Sequence, residues 1–221
     1  MQEQGILFDL DGTLADTAPD LVGALNHVLL AAGRDPVPLE TARWWVAGGS
    51  VRLIAEGFRI SPAEAKASPE RQQLLNVYGA HICDHTRLFP GIAELLEWLE
   101  SQAIPWGVVT NKPGRYTDPL LRELQLQSRA SAIVSGDTLA VSKPDPAPLL
   151  LASGKIQRAA AQCVYVGDDH RDVVAGRGAG MTTVAVDWGY GRPEEIPAWR
   201  ADVEVSKPSE ILRFVESRLG G

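Results

Sequence analysis

Five short apolar runs recur along the 221-residue chain, each followed closely by polar side chains. They are Gly5–Phe8, Trp106–Thr110, Ala132–Ser135, Cys163–Val166 and Thr182–Asp187, with a weaker sixth at Ala201–Val205. Between them lie stretches at Ile92–Ser101, Tyr116–Leu124, Pro146–Ala152 and Arg171–Gly178 that read as helices. A strand that is apolar throughout must be covered on both faces, and helical crossovers supply that cover. The pattern therefore predicts an α/β fold with a doubly wound parallel sheet.

One interval breaks the alternation. From Asp16 to His85 the sequence carries no convincing strand and reads as helices only. Leu21–Ala32 follows Thr17 and Pro19 and stops at Gly33, and Ser61 with Pro62 forms a second helix start. A helical block after the first strand of an α/β domain predicts an inserted small cap, residues 16–85, on a core of residues 1–15 and 86–221. "LADTAP" and "TRLFPG" are the expected linkers.

Composition narrows the partners. The chain is 45% hydrophobic and 22% charged with a net charge of −7, which argues against nucleic acid or an anionic membrane. No apolar run is long enough to span a bilayer. Cys83 and Cys163, far apart, do not form a disulfide framework, so a reducing cytoplasm is the expected location.

In open α/β sheets ligands bind beyond the carboxyl ends of the strands. Asp9 and Asp11 follow the first run, and Thr110, Asn111 and Lys112 follow the second. Lys143 lies in "SKPDP" after the third, and "GDDHRD" after the fourth holds Asp168, Asp169 and Asp172. Carboxylates brought together from two strands repel one another, by about 4 kcal/mol per pair ~4 Å apart at an effective dielectric near 20. A hard divalent cation such as Mg²⁺ relieves this while leaving coordination positions for phosphate and water. A lysine and a hydroxyl beside it suit phosphoryl oxygens. One aspartate can attack phosphorus while a second, two residues on, protonates the leaving oxygen and later deprotonates water.

"FDLDGTLADT", "GVVTNKP", "SKPDP" and "VGDDHRDVVAGRGAG", in this order, resemble the four motifs of the haloacid dehalogenase-like (HAD) phosphatase superfamily. The likeness covers essentially the whole chain and implies a Rossmann-like core. It implies Asp9 as nucleophile, Asp11 as general acid/base with its main-chain carbonyl on the metal, and Thr110 and Lys143 on the transferring phosphoryl group. Asn111 would assist in binding, and Mg²⁺ would be held by Asp9, Asp11 and Asp168, with Asp172 or Asp169 in support. Within the superfamily the chain is similar to the phosphoglycolate phosphatase-like group. "GVVTNKPGRYTDPLL" and "VDWGYGRPEEIPAWRADVEV" resemble the branch acting on N-acetylmuramic acid 6-phosphate. The implied partner is a small phosphorylated metabolite, and the expected state is a monomer or homodimer. A phosphomutase on the same scaffold, or a non-catalytic phosphate-sensing or partner-binding relative, is the alternative.

Three stretches carry weaker expectations. "ARWWVAGGSVRLIAEGF" is read as two helices joined through Gly48, Gly49 and Ser50, with Trp44 or Trp45 in the cap core. Gly49 and Arg52 are expected to meet the non-transferring end of the substrate. On a helix His81 and His85 of "HICDH" would share a face while Cys83 points elsewhere, so the stretch is read as an ordinary helix end near the hinge rather than a transition-metal site, and Trp188–Gly191, "WGYG", is read as packing and turn.

Overall fold

The structure, a computed structural model, describes residues 4–219. It divides into two units, Met1–Ala15 with Leu88–Gly221, and Asp16–Arg87.

The first unit is built on a six-stranded parallel sheet. Its strands are β1 (Gly5–Phe8), β4 (Trp106–Val109), β5 (Ala132–Val134), β6 (Cys163–Gly167), β7 (Thr182–Val186) and β8 (Val203–Val205), in the order β5-β4-β1-β6-β7-β8. β1, β4 and β6 are buried at every residue, which is why they read as unbroken apolar runs rather than as alternating ones. The crossovers are α6 (Ile92–Ser101), α7 (Gly114–Glu123), α8 (Ala147–Lys155) and α9 (His170–Gly178), followed by α10 (Ile196–Trp199) and α11 (Pro208–Leu219). Leu7, Val109 and Tyr165 of the sheet pack with Leu149 and Ala152 of α8 and Ala175 of α9. Each large side chain buried this way contributes about 1.5–3 kcal/mol relative to exposure.

The strand order decides where a site can form. After β1 the chain builds β4 and then β5 on one side, and afterwards returns to β1 to build β6, β7 and β8 on the other. That reversal makes the carboxyl ends of β4, β1 and β6 the switch point, where a crevice opens in doubly wound sheets. The registers Phe8 with Val108 and Phe8 with Val166 bring the three strand ends level.

The second unit holds α1 (Ala18–Ala31), α2 (Leu39–Ala42), a 3₁₀ segment at Arg43–Gly48, α3 (Gly49–Phe58), α4 (Pro62–Ala67) and α5 (Pro69–Ala80). The start of α4 is the one expected: Ser61 accepts from the Glu64 amide, and the Glu64 carboxylate accepts from the Ser61 amide. The chain crosses between units at β2 (Ala15–Asp16) and β3 (Arg87–Leu88), two short strands that pair with each other.

Asp20, buried in the first turn of α1, accepts from the amides of His85 and Thr86 and from the Thr86 hydroxyl. It ties the exit of the helical unit to its entry, a tie between residues sixty-five and more apart. The "HICDH" stretch is the helix end expected: α5 stops at Ala80, and His81 turns out of the helix and bonds to Asp84 at 2.7 Å. One expectation needs correction here. In the 3₁₀ segment Val46 is the buried residue, while Trp44 and Trp45 are only half-buried, because three residues per turn directs successive side chains differently from an α-helix.

Candidate active site

The site grows from the end of β1. The Asp9 amide continues the strand by donating to Val166 O at 2.9 Å, so its side chain leaves the sheet edge at a defined point. Next the chain folds tightly, with the amides of Thr13, Leu14 and Ala15 all donating to Leu10 O. Gly12 makes this possible. Its φ is +86°, and a Cβ there would lie 2.1 Å from Asp168 Oδ2.

The segments after β4, β5 and β6 bring further side chains to this edge of the sheet. Lys143, only 4% exposed, places Nζ 2.8 Å from Asp9 Oδ1 and 2.7 Å from Asp172 Oδ1. The ammonium is also 3.0 Å from Val109 O and 2.9 Å from the Tyr165 hydroxyl. Burial works against its charge, but Asp172 and Asp9 outweigh that and hold its pKa above the ordinary lysine value. Asp168, 2% exposed, accepts from the Thr13 hydroxyl at 2.8 Å and the Tyr190 amide at 2.7 Å. Asp172 accepts from Tyr165 and, on its other oxygen, from the Asp169 amide. Thr110 is buried at the end of β4, its amide donating to Val134 O.

The charges do not balance. Asp9, Asp168 and Asp172 each offer a carboxylate oxygen, all within 4.8 Å of one another, against the single ammonium of Lys143. At that spacing each like-charged pair costs about 3.5 kcal/mol at an effective dielectric near 20. Burial pushes the Asp9 carboxyl up to about 7, against the pull of Lys143, with Asp172 and Asp11 adding to the rise. Burial, then Asp9 and Asp172, hold Asp168 well above the carboxylate range. An excess of two buried negative charges among hard oxygen donors fits a divalent cation. Asp169 does not share in this excess. Burial opposes its charge, but the Arg171 side chain and amide outweigh it and hold its carboxyl below the ordinary value. Asp169 caps α9, and Asp172 is the carboxylate that turns inward.

Other residues differ from what the sequence suggests. Asn111, expected on the substrate, instead clamps the Lys143 backbone: its Oδ1 accepts from the Lys143 amide and its Nδ2 donates to the Lys143 carbonyl, both at 2.9 Å. Trp188–Gly191 is more than a turn, since Trp188 Nε1 donates to Thr13 O and the Tyr190 amide binds Asp168. A Cβ at Gly189 would lie 2.3 Å from the Asp168 side chain, so glycine is needed for this approach. Lys112, passed over as one more strand-end residue, pairs with Asp11 at 2.6 Å. Its only sequence signal is its place two residues after Thr110. Gly49 and Arg52 belong to the helical unit. Gly49 begins α3 with φ +65°, and Arg52 is half-buried and loosely paired with Glu56 at 3.8 Å. His170 is exposed beside the site.

The carboxylate cluster with its lysine, at the switch point of a parallel sheet and beside Asp11 paired with Lys112, marks this edge as the candidate active site. The haloacid dehalogenase-like hydrolase family model matches residues 6–186, and the chain belongs to that family. It is 40% identical over 99% of its length to N-acetylmuramic acid 6-phosphate phosphatase of Pseudomonas aeruginosa, covering 97% of that protein. It is 42% identical to phosphoglycolate phosphatase of Xanthomonas campestris pv. campestris, over 94% of each chain. Among solved structures, a predicted phosphoglycolate phosphatase from Haemophilus somnus superposes with a TM-score of 0.84 at 29% identity, over 97% of this chain and 99% of that one. The protein is thus a phosphatase of this family, a phosphoric monoester hydrolase.

Proposed function

We propose that the protein transfers the phosphoryl group of a small phosphorylated metabolite to Asp9 and then to water. The observation that carries this reading is the Asp9 carboxylate itself, paired with the buried Lys143 and followed two residues later by Asp11. In the first step an Asp9 oxygen forms a bond to phosphorus as the bond to the leaving oxygen breaks, and Asp11 gives that oxygen a proton. In the second, Asp11 takes a proton from water, whose oxygen attacks the aspartyl-phosphate and frees Asp9. Lys143 and Thr110 bind the non-bridging phosphoryl oxygens throughout, and Asn111 keeps Lys143 in place.

Asp9, Asp168 and the main-chain carbonyl of Asp11 would hold Mg²⁺, with Asp172 in support. When bound, the cation offsets the negative charge shared by the carboxylates and the phosphoryl group. The acidic surface and the absence of a membrane-spanning helix among the described residues favour a cytoplasmic enzyme acting on small metabolites.

The substrate is 2-phosphoglycolate or N-acetylmuramic acid 6-phosphate, the compounds named for the two groups of relatives. Both are phosphomonoesters of a primary alcohol that also carries a carboxylate, and both leave as a strongly basic alkoxide that needs a general acid. Gly49 and Arg52 are the proposed contacts for the end that is not transferred. Phosphate release from the two compounds, ranked by kcat/KM with Mg²⁺ and with EDTA, tests the reading. We expect strong selection of one and loss of turnover in EDTA, with Asp9→Asn inactive but folded. Turnover that survives either change overturns the mechanism, and formation of a positional isomer instead of phosphate shows a mutase.

A further inference from the structure

Lys112 touches two reacting groups of the proposed mechanism from a backbone that is fixed on three sides. Its amide donates to Thr110 Oγ1 at 3.1 Å. Its carbonyl accepts from the Gly136 amide at 2.9 Å and from the Thr117 hydroxyl at 3.0 Å. The Gly136 approach requires glycine, because a Cβ there would lie 2.2 Å from Asn111 O. From this frame the side chain, 7% exposed, reaches Asp11 Oδ1.

We propose that Lys112 is the positioning residue for the proton transfers of Asp11, an inference that rests on the acid/base role given to Asp11 above. With the ammonium on Oδ1, the carboxyl group is held in one orientation. From it Asp11 gives its proton to the departing alkoxide oxygen as the P–O bond breaks in the first step, and in the second it takes one from water. The amide of Lys112 has a matching effect on Thr110. By filling a lone pair of the hydroxyl oxygen, it leaves the O–H to donate to a phosphoryl oxygen. One residue therefore aligns the acid with the group that holds the phosphate, and small misplacements of such groups cost rate steeply.

The test uses leaving groups of different basicity. An alkyl phosphate needs the acid and p-nitrophenyl phosphate scarcely does, while kcat/KM reports only the steps through phosphoryl transfer to Asp9. The alkyl substrate is 2-phosphoglycolate, or N-acetylmuramic acid 6-phosphate if that is turned over faster. Lys112→Met should lower kcat/KM on the alkyl phosphate by about 10–100-fold more than on p-nitrophenyl phosphate, and Lys112→Arg should recover part of that difference. The ratio of the two values is independent of the fraction of active enzyme, so partial misfolding does not blur it. An unchanged ratio in Lys112→Met, whether both values fall together or neither falls, overturns the proposal. Asp11→Asn is measured beside it. If Asp11→Asn shifts the ratio and Lys112→Met does not, only the Lys112 inference fails; if neither does, the acid/base role of Asp11 fails first.

Discussion

Raising the pH of the metal-free protein from about pH 4 to about pH 7.5 should cost stability through Asp9. The folded carboxyl is pushed from 3.8 to about 7 by burial, which outweighs the attraction of Lys143. A raised carboxyl binds its proton more tightly in the folded state than in the unfolded one. Its contribution to stability is therefore complete below about pH 3.8 and is lost as the pH rises through about 7. At about 1.4 kcal/mol per pH unit across that interval the loss comes to about 4 kcal/mol. For a chain of this length that lowers Tm by about 10 °C. Asp168 shifts in the same direction and adds to the effect. The assay is thermal unfolding in EDTA across this range, for the wild type and for Asp9→Asn. The asparagine variant has no proton to lose at position 9, so the difference between the two Tm curves reports Asp9 together with its effect on Asp168. The wild type should fall relative to the variant as the pH rises, and saturating Mg²⁺ should bring it back near neutral pH. Parallel curves, or a wild type that gains on the variant with pH, would refute the assignment of the charge excess to this cluster.

Two further outcomes follow from the hydrogen bonds. Asp20→Ala strands the His85 and Thr86 amides and should destabilise the helical unit by about 2–4 kcal/mol, read as earlier proteolysis between residues 16 and 87. Asn111→Ala removes the clamp on the Lys143 backbone, and kcat should fall about tenfold or more with little change in KM, whereas a large KM effect would return Asn111 to direct substrate contact.

The site was legible in the sequence wherever a residue's role follows from its place at a strand end. β1, β4 and β6 are buried on both faces, so their apolar runs are unbroken and their ends are easy to find. Asp9, Thr110 and Asp168 stand directly after them. Asn111 and Lys112 were legible as neighbours of Thr110 but not by function. Whether an amide faces a substrate or a neighbouring loop depends on where residue 143 comes to lie, thirty-two positions away. The same limit hid the part played by "WGYG", whose partners Thr13 and Asp168 come from other strand ends. The helix end at "HICDH" was legible in outline, and the structure shows its closure: the His81 amide bonds to the carbonyls of Val77 and Tyr78.

By itself the sequence determined the sheet, the helical insertion and the chemical types that gather at the strand ends, because hydrophobic periodicity and turn chemistry act over a few residues. Only the tertiary structure decided how the charges are shared. It assigned Lys143 to Asp9 and Asp172, Lys112 to Asp11 and Arg171 to Asp169, and it gave buried Asp168 the Thr13 hydroxyl and the Tyr190 amide as donors. Pairing among charges depends on distances of a few ångströms between residues as far apart in the chain as Asp9 and Lys143, and periodicity carries no record of those distances.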